Sequence, residues 1–222
     1  MFRFVTYLAL LLLVGSVYGG RPLAVDEAGT ADKGALELEL GIETEFENLE
    51  TSAITAAAIF GFCNVLELSA ECGFSTENTE IEVFAFATKL APEFVRFGSV
   101  SFALAAGYDI IGETGDVLII STSDTRRISF DWNAGMSFDS ELKARETSIG
   151  CAFRYEMTGD IQVVGEALWT GLIDTDIDCW WVAAGVRYNP SPVLTLDIAP
   201  GLSIAGDETT VCATAGMTLS VF

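Results

Sequence analysis

Histidine is absent from all 222 residues. With it goes the general base of the Ser-His-Asp and Ser-His arrangements on which phospholipases and lipid deacylases depend, so the sequence does not predict an enzyme. Bases are scarce: 11 Lys and Arg stand against 32 Asp and Glu, for a net charge of −21. That imbalance disfavours nucleic acid or any other polyanion as a partner. After the first twenty residues no stretch approaches the 18 or more continuous apolar residues of a membrane helix. The five cysteines (Cys63, Cys72, Cys151, Cys179 and Cys212) are widely spaced, odd in number and without a CxxC pair. They predict no metal site, redox site or cofactor, and read as small apolar fillers.

What is present is alternation. From Gly34 to Glu47, Leu36, Leu38, Leu40, Ile42 and Phe46 occupy even positions against Glu37, Glu39, Glu43, Glu45 and Glu47 at odd ones. A period of two sorts side chains to opposite faces of a β-strand. A strand that long, apolar on one face and acidic on the other, fits a tilted transmembrane strand with lipid outside and a wet lumen inside. Further segments follow at 52–62, 65–74, 81–90, 100–110, 128–139, 147–157, 161–171, 179–189, 193–204 and 209–222. The short stretch Val117 to Ser121 reads as loop or strand. Even strand numbers are the rule for such barrels, so counting it predicts about twelve antiparallel strands, with ten as the alternative. Leu66, Leu68, Ala70 and Cys72 then face lipid on one strand, and Phe102, Leu104, Ala106 and Tyr108 on another. The facing of 81–90 stays open: Lys89 inward puts Phe84 and Phe86 in lipid, and the reverse puts them in the lumen.

Short links at Cys63-Asn64, Gly159-Asp160 and 189–192 suit the periplasmic side, and the polar link from Asp174 to Asp178 the outside. Trp180 and Tyr188 share an outward face eight residues apart, roughly 20 Å of membrane thickness at a tilt near 40°, close to the girdle separation of a barrel. Phe130 and Phe138 repeat the spacing. The ends agree with an exported barrel. Residues 1–19 read as a signal peptide, with Arg3 ahead of an apolar run from Phe4 to Val17 and small residues near Gly19. Residues 20–33 read as a periplasmic N-terminal segment, and 34–222 as the barrel. Phe222 reads as the terminal aromatic recognised by barrel-assembly machinery.

The lumen-lining set on this reading is Glu37, Glu39, Glu43, Glu67, Glu71, Asp131, Arg154, Glu166, Arg187 and Asp197. Two accounts fit it. Carboxylates and guanidinium groups pair across a narrow lumen and fill it, or surplus acid lines an open path for cations or donor-bearing polar solutes. Asp174, Asp176 and Asp178 resemble the start of a calcium loop, but the following Gly is missing and Asn189 stands four residues past the Glu position. They read as a solvated acidic loop, bridged by divalent cations to lipopolysaccharide. Gly112-Glu113-Thr114-Gly115-Asp116 reads as a glycine turn, because no helix follows to make a phosphate cradle.

The stretch 21–30 with Lys33-Gly34, then Val65-Leu66-Glu67-Leu68, Lys89, Asn133-Ala134-Gly135, Val164-Gly165-Glu166 and Gly185-Val186-Arg187-Tyr188, resembles the outer-membrane family of phenol-degradation (meta-pathway) transporters. The matches run in order along nearly the whole mature chain. The resemblance implies an all-β transmembrane barrel with a transport role and fixes no substrate. The expectation is an outer-membrane barrel that passively admits a small solute through an acidic, cation-preferring lumen. The alternatives are a non-conducting structural or surface-interaction barrel with a plugged lumen, and a secreted soluble β-sandwich.

Overall fold

The structure, a computed structural model, describes residues 25–46, 53–76, 80–92, 97–173, 175 and 178–221. The signal peptide expected at 1–19, Phe222 and most of the aspartate-rich link at 174–177 lie outside those residues. Among the described residues the chain forms twelve strands: β1 (Leu36–Glu45), β2 (Ala53–Cys63), β3 (Leu66–Ser75), β4 (Glu80–Leu90), β5 (Val100–Asp109), β6 (Thr114–Asp124), β7 (Ile128–Asp139), β8 (Ala144–Glu156), β9 (Ile161–Leu172), β10 (Asp178–Ser191), β11 (Leu194–Ala205) and β12 (Glu208–Val221). Each runs antiparallel to its neighbours, and β1 pairs with β12 from Leu36–Val221 to Glu45–Cys212, closing the barrel. Closure leaves no sheet edge with unpaired backbone, which a bilayer demands of any strand that crosses it.

The two faces differ as the alternation predicts. Leu38, Leu40 and Ile42 are 40–48% exposed, whereas Glu39 between them is 8% exposed. Phe86, Leu104, Ile119, Trp132, Ile149 and Ile198 continue the exposed apolar surface around the circumference. A belt of that extent in water would drive aggregation; against lipid it is the spanning surface of a transmembrane barrel. Trp180 and Tyr188 both face outward. Phe130 does too, but a register shift at Ser137 precedes Phe138, which is half-buried.

Two strands begin three residues ahead of their sequence-based limits. In β6, Leu118 and Ile120 are inward-facing and apolar like their outward neighbours Val117 and Ile119, so the period of two vanishes there. The reason is local: Ile120 packs with Ala28, Ala103 and Ala105 inside the barrel. β8 begins at Ala144, bringing Glu146 into the wall. In β4 the open question resolves with Lys89 inward and buried, and Phe84 and Phe86 outward with rings 5.1 Å apart.

The links at 64–65, 125–127, 157–160 and 192–193 gather at the end where residues 25–35 join β1, here the near end. Those at 110–113, 140–143 and 206–207 gather at the far end. The β11–β12 hairpin needs only Gly206-Asp207, with Gly206 at φ +59°, a left-handed conformation that glycine adopts without steric cost. Cys179 and Cys212 are buried on inward positions, and all five thiols are free.

The barrel lumen as candidate functional site

All ten residues of the lumen-lining set occupy inward positions: Glu37, Glu39 and Glu43 on β1, Glu67 and Glu71 on β3, Asp131 on β7, Arg154 on β8, Glu166 on β9, Arg187 on β10 and Asp197 on β11. Alternation alone brings them there. What organises them is residues 25–35, which sequence placed ahead of the barrel. The segment runs inside the wall at the near end, with Val25 and Ala28 buried to 3% and 2% exposure. It emerges at the mouth, where Gly34 N–H donates to Gly61 O at 2.7 Å and Gly61 N–H to Ala35 O at 3.0 Å. A Cβ on Gly61 would strike the backbone carbonyls of Ala31 and Asp32, so glycine permits that close approach.

Wall side chains satisfy the segment's backbone. Val25 N–H donates to Glu166 Oε2 at 3.0 Å, Ala28 N–H to Thr122 Oγ1 at 2.7 Å and Ala31 N–H to Glu67 Oε2 at 2.8 Å. Asn133, with its amide oriented to satisfy both groups, donates to Asp26 O at 2.9 Å and accepts from Asp26 N–H. Buried backbone groups left without such partners would each cost about 1–3 kcal/mol.

The segment's own acids then meet the lumen's bases. Lys89 Nζ lies 3.4 Å from Asp26 Oδ1 and 3.2 Å from Glu67 Oε1. Arg154 pairs with Glu27, and its Nη2 lies 3.1 Å from Asp131 Oδ2. Asp131 also accepts from the Thr122 hydroxyl at 2.6 Å. Arg187 and Asp197 are direct cross-strand partners on β10 and β11. Burial pushes the Asp26 carboxyl up to about 7, against the opposing pull of Lys89. Burial acts the same way on Glu27, but Arg154, aided by Lys89 and Arg187, outweighs it and holds that carboxyl down to about 2.

The segment does not fill the near half. A cavity of about 470 Å³ runs beside it from Asp32 and Pro192 at the mouth to the level of Glu39 and Glu71. Its acids outnumber its bases: Glu37, Glu39, Glu67 and Glu71 share it with Lys89 and Arg187. Thr218 and Ser220 hydroxyls donate to Glu39 and Glu37 at 3.4 Å. The wall therefore offers hydrogen-bond acceptors and negative charge. Among the described residues no group of three or more His, Cys, Asp or Glu is placed to hold a metal ion.

Lys89 and Glu146 are lumen residues absent from the sequence-derived set. The signal for Lys89 was its phase with Val83, Ala85 and Ala87, and for Glu146 its phase with Ser148, Gly150, Ala152 and Arg154.

No family model matches the chain and no curated protein does. Solved structures do. The chain is similar to KdgM porin (TM-score 0.68, 10% identity, 84% of this chain and 99% of that one). It is similar to NanC porin (0.65, 10%, 83% and 98%) and to the COG4313 outer membrane channel from Pseudomonas putida F1 (0.64, 8%, 87% and 98%). At these identities the likeness is one of fold: a closed twelve-strand, porin-like barrel of the outer-membrane type.

Proposed function

We propose that this chain is an outer-membrane channel that passively admits a small polar solute past an N-terminal segment seated in its lumen. The observation that carries the reading is the acid-lined cavity beside the segment, which keeps part of the cross-section free of side chains. On this reading the near end faces the periplasm, because both ends of the barrel strands lie there, and the far end faces outside. The excess of acids over bases along the cavity gives the path a cation preference. The role is non-enzymatic, as a chain without histidine or a metal cluster in its described part supports. Lipid and lipopolysaccharide surround the belt, barrel-assembly machinery inserts it through a signal ending in Phe222, and nucleic acid is not a partner. Membership of the phenol-degradation (meta-pathway) transporters is part of this proposal, resting on the ordered motifs described above.

A second reading is favoured by one specific observation: segment 25–31 is anchored on β3, β4, β6, β7, β8 and β9 at once. A segment held that firmly makes a non-conducting barrel with a structural or surface role. Single-channel recording in planar bilayers separates the two. Discrete conductance steps support the channel, and a silent bilayer containing folded protein, verified by heat-dependent gel mobility, supports the plugged barrel.

A further inference from the structure

The far half of the lumen contains a carboxylate that no other described residue accounts for. Glu146 sits on the inward face of β8 at 7% exposure, yet makes no hydrogen bond or ion pair among the described residues. The two bases nearest in sequence are engaged elsewhere: Arg145 Nη2 lies 2.6 Å from Asp139 Oδ2, and Lys143 pairs with Glu141 in the far-end link. An ionised carboxylate so withdrawn from water carries a desolvation cost that a neighbouring cation would offset.

Its surroundings are donor-accepting and small. Ser137 stands directly across from it on β7. Ser148, two residues along β8, faces Thr170 on β9, and Thr170 faces Cys179 on β10. Cross-strand partners place their Cβ atoms roughly 5 Å apart, so the four side chains and Glu146 line one patch of wall. Among the described residues neither the Ser148 nor the Thr170 hydroxyl has a side-chain hydrogen bond. Ser137 and Ser148 are half-exposed, so the patch is open to the lumen. Below it, Val25 packs against Gly150, four residues along β8 from Glu146, about 13 Å. The patch thus lies on the far side of the seated segment.

We propose that this patch is a binding site for a small organic ammonium ion, captured from the far end before it meets the segment. The ammonium N–H groups donate to the Glu146 carboxylate and to the Ser148 and Thr170 hydroxyls, while its alkyl portion rests against Leu172, the other cross-strand neighbour of Glu146. This deepens the reading of the lumen as a cation-preferring solute path and rests on it for the direction of approach.

Cys179 supplies the reporter. In full-length protein with Cys63, Cys72, Cys151 and Cys212 replaced by Ala, it is the sole thiol. Relative to the ratio the two reagents show toward a free thiol in solution, a trimethylammonium thiosulfonate should label it at least about tenfold faster than the sulfonate analogue of the same size. E146Q should abolish that preference. Methylammonium should slow labelling of the parent and leave E146Q unaffected, and T170V should weaken the protection while keeping the charge preference. Equal rates for the two reagents, no labelling by either, or a preference that survives E146Q would overturn the site. Labelling from the far end needs no conducting pore, so a silent channel refutes the proposed transport without touching this result. A conducting, cation-selective channel that fails the test refutes the site alone.

Discussion

Removing the Arg154 guanidinium should destabilise the barrel strongly. Arg154 bridges two acids of unequal burial: the Asp131 side chain is 2% exposed, and that of Glu27 is 47% exposed. In Arg154→Gln, Asp131 keeps the Thr122 hydroxyl as a donor but loses its counter-charge in a dry setting. Breaking a buried pair from one side costs about 3–5 kcal/mol, whereas losing a half-exposed partner costs about 1 kcal/mol or less. Arg154→Gln should therefore lower the unfolding midpoint strongly, and Glu27→Gln only slightly. Adding Asp131→Asn to Arg154→Gln should restore most of the loss, because it removes the stranded charge. The assay is urea unfolding of the detergent-refolded protein followed by tryptophan fluorescence, with all variants arranged as a double-mutant cycle. A near-neutral Arg154→Gln, or a double variant no better than the single one, would refute the claim that this pair carries the near-end packing.

Other expectations follow from the same geometry. Leu38→Arg, on the lipid face, should reduce folded protein on heat-modifiability gels far more than Glu39→Arg on the lumen face, since a mid-bilayer arginine costs on the order of 2–4 kcal/mol; equal losses would contradict the facing. Seating of residues 25–31 should depend on pH in a bell. Asp26, raised to about 7, loses stabilisation as pH rises from about 4 through 7, and Glu27, lowered to about 2, loses it as pH falls from about 4.5 through 2. Hydrogen exchange of the segment's amides should thus be slowest near pH 4 to 5 after correction for intrinsic rates, Asp26→Asn should flatten the alkaline limb, and protection rising steadily to neutral pH would contradict the assignment. Deleting Phe222 should reduce assembly in cells while leaving refolding into detergent nearly unchanged; undiminished assembly would remove its role as a signal.

The wall was legible from sequence because a membrane barrel writes its two solvents into alternate residues. Glu37 and Glu39 between Leu36, Leu38 and Leu40 show this most plainly, and the same rule found eleven of the strands, 117–121 being counted in because barrel strand numbers are even. It failed where the lumen is not wet. Leu118 and Ile120 in β6 are apolar on the inner face because they pack near Ala28 of the segment, so that strand was read at less than half its length. The segment itself was illegible. Its hold on the wall comes from backbone N–H groups reaching Glu166, Thr122 and Glu67, and main-chain donors leave no trace in residue identity. Lys89 was visible as a residue, but its role depends on Asp26, 63 positions earlier, and no local pattern links the two.

Charge selectivity of the reconstituted protein tests the central claim most directly. In a salt gradient across a planar bilayer the reversal potential should show cation preference. It should weaken as added salt shortens the screening length from about 10 Å at 0.1 M to about 3 Å at 1 M. Glu37→Gln combined with Glu39→Gln should reduce it further, because both line the cavity that bypasses the segment. Anion preference, or a preference indifferent to both salt and these substitutions, would contradict an acid-lined path through the barrel.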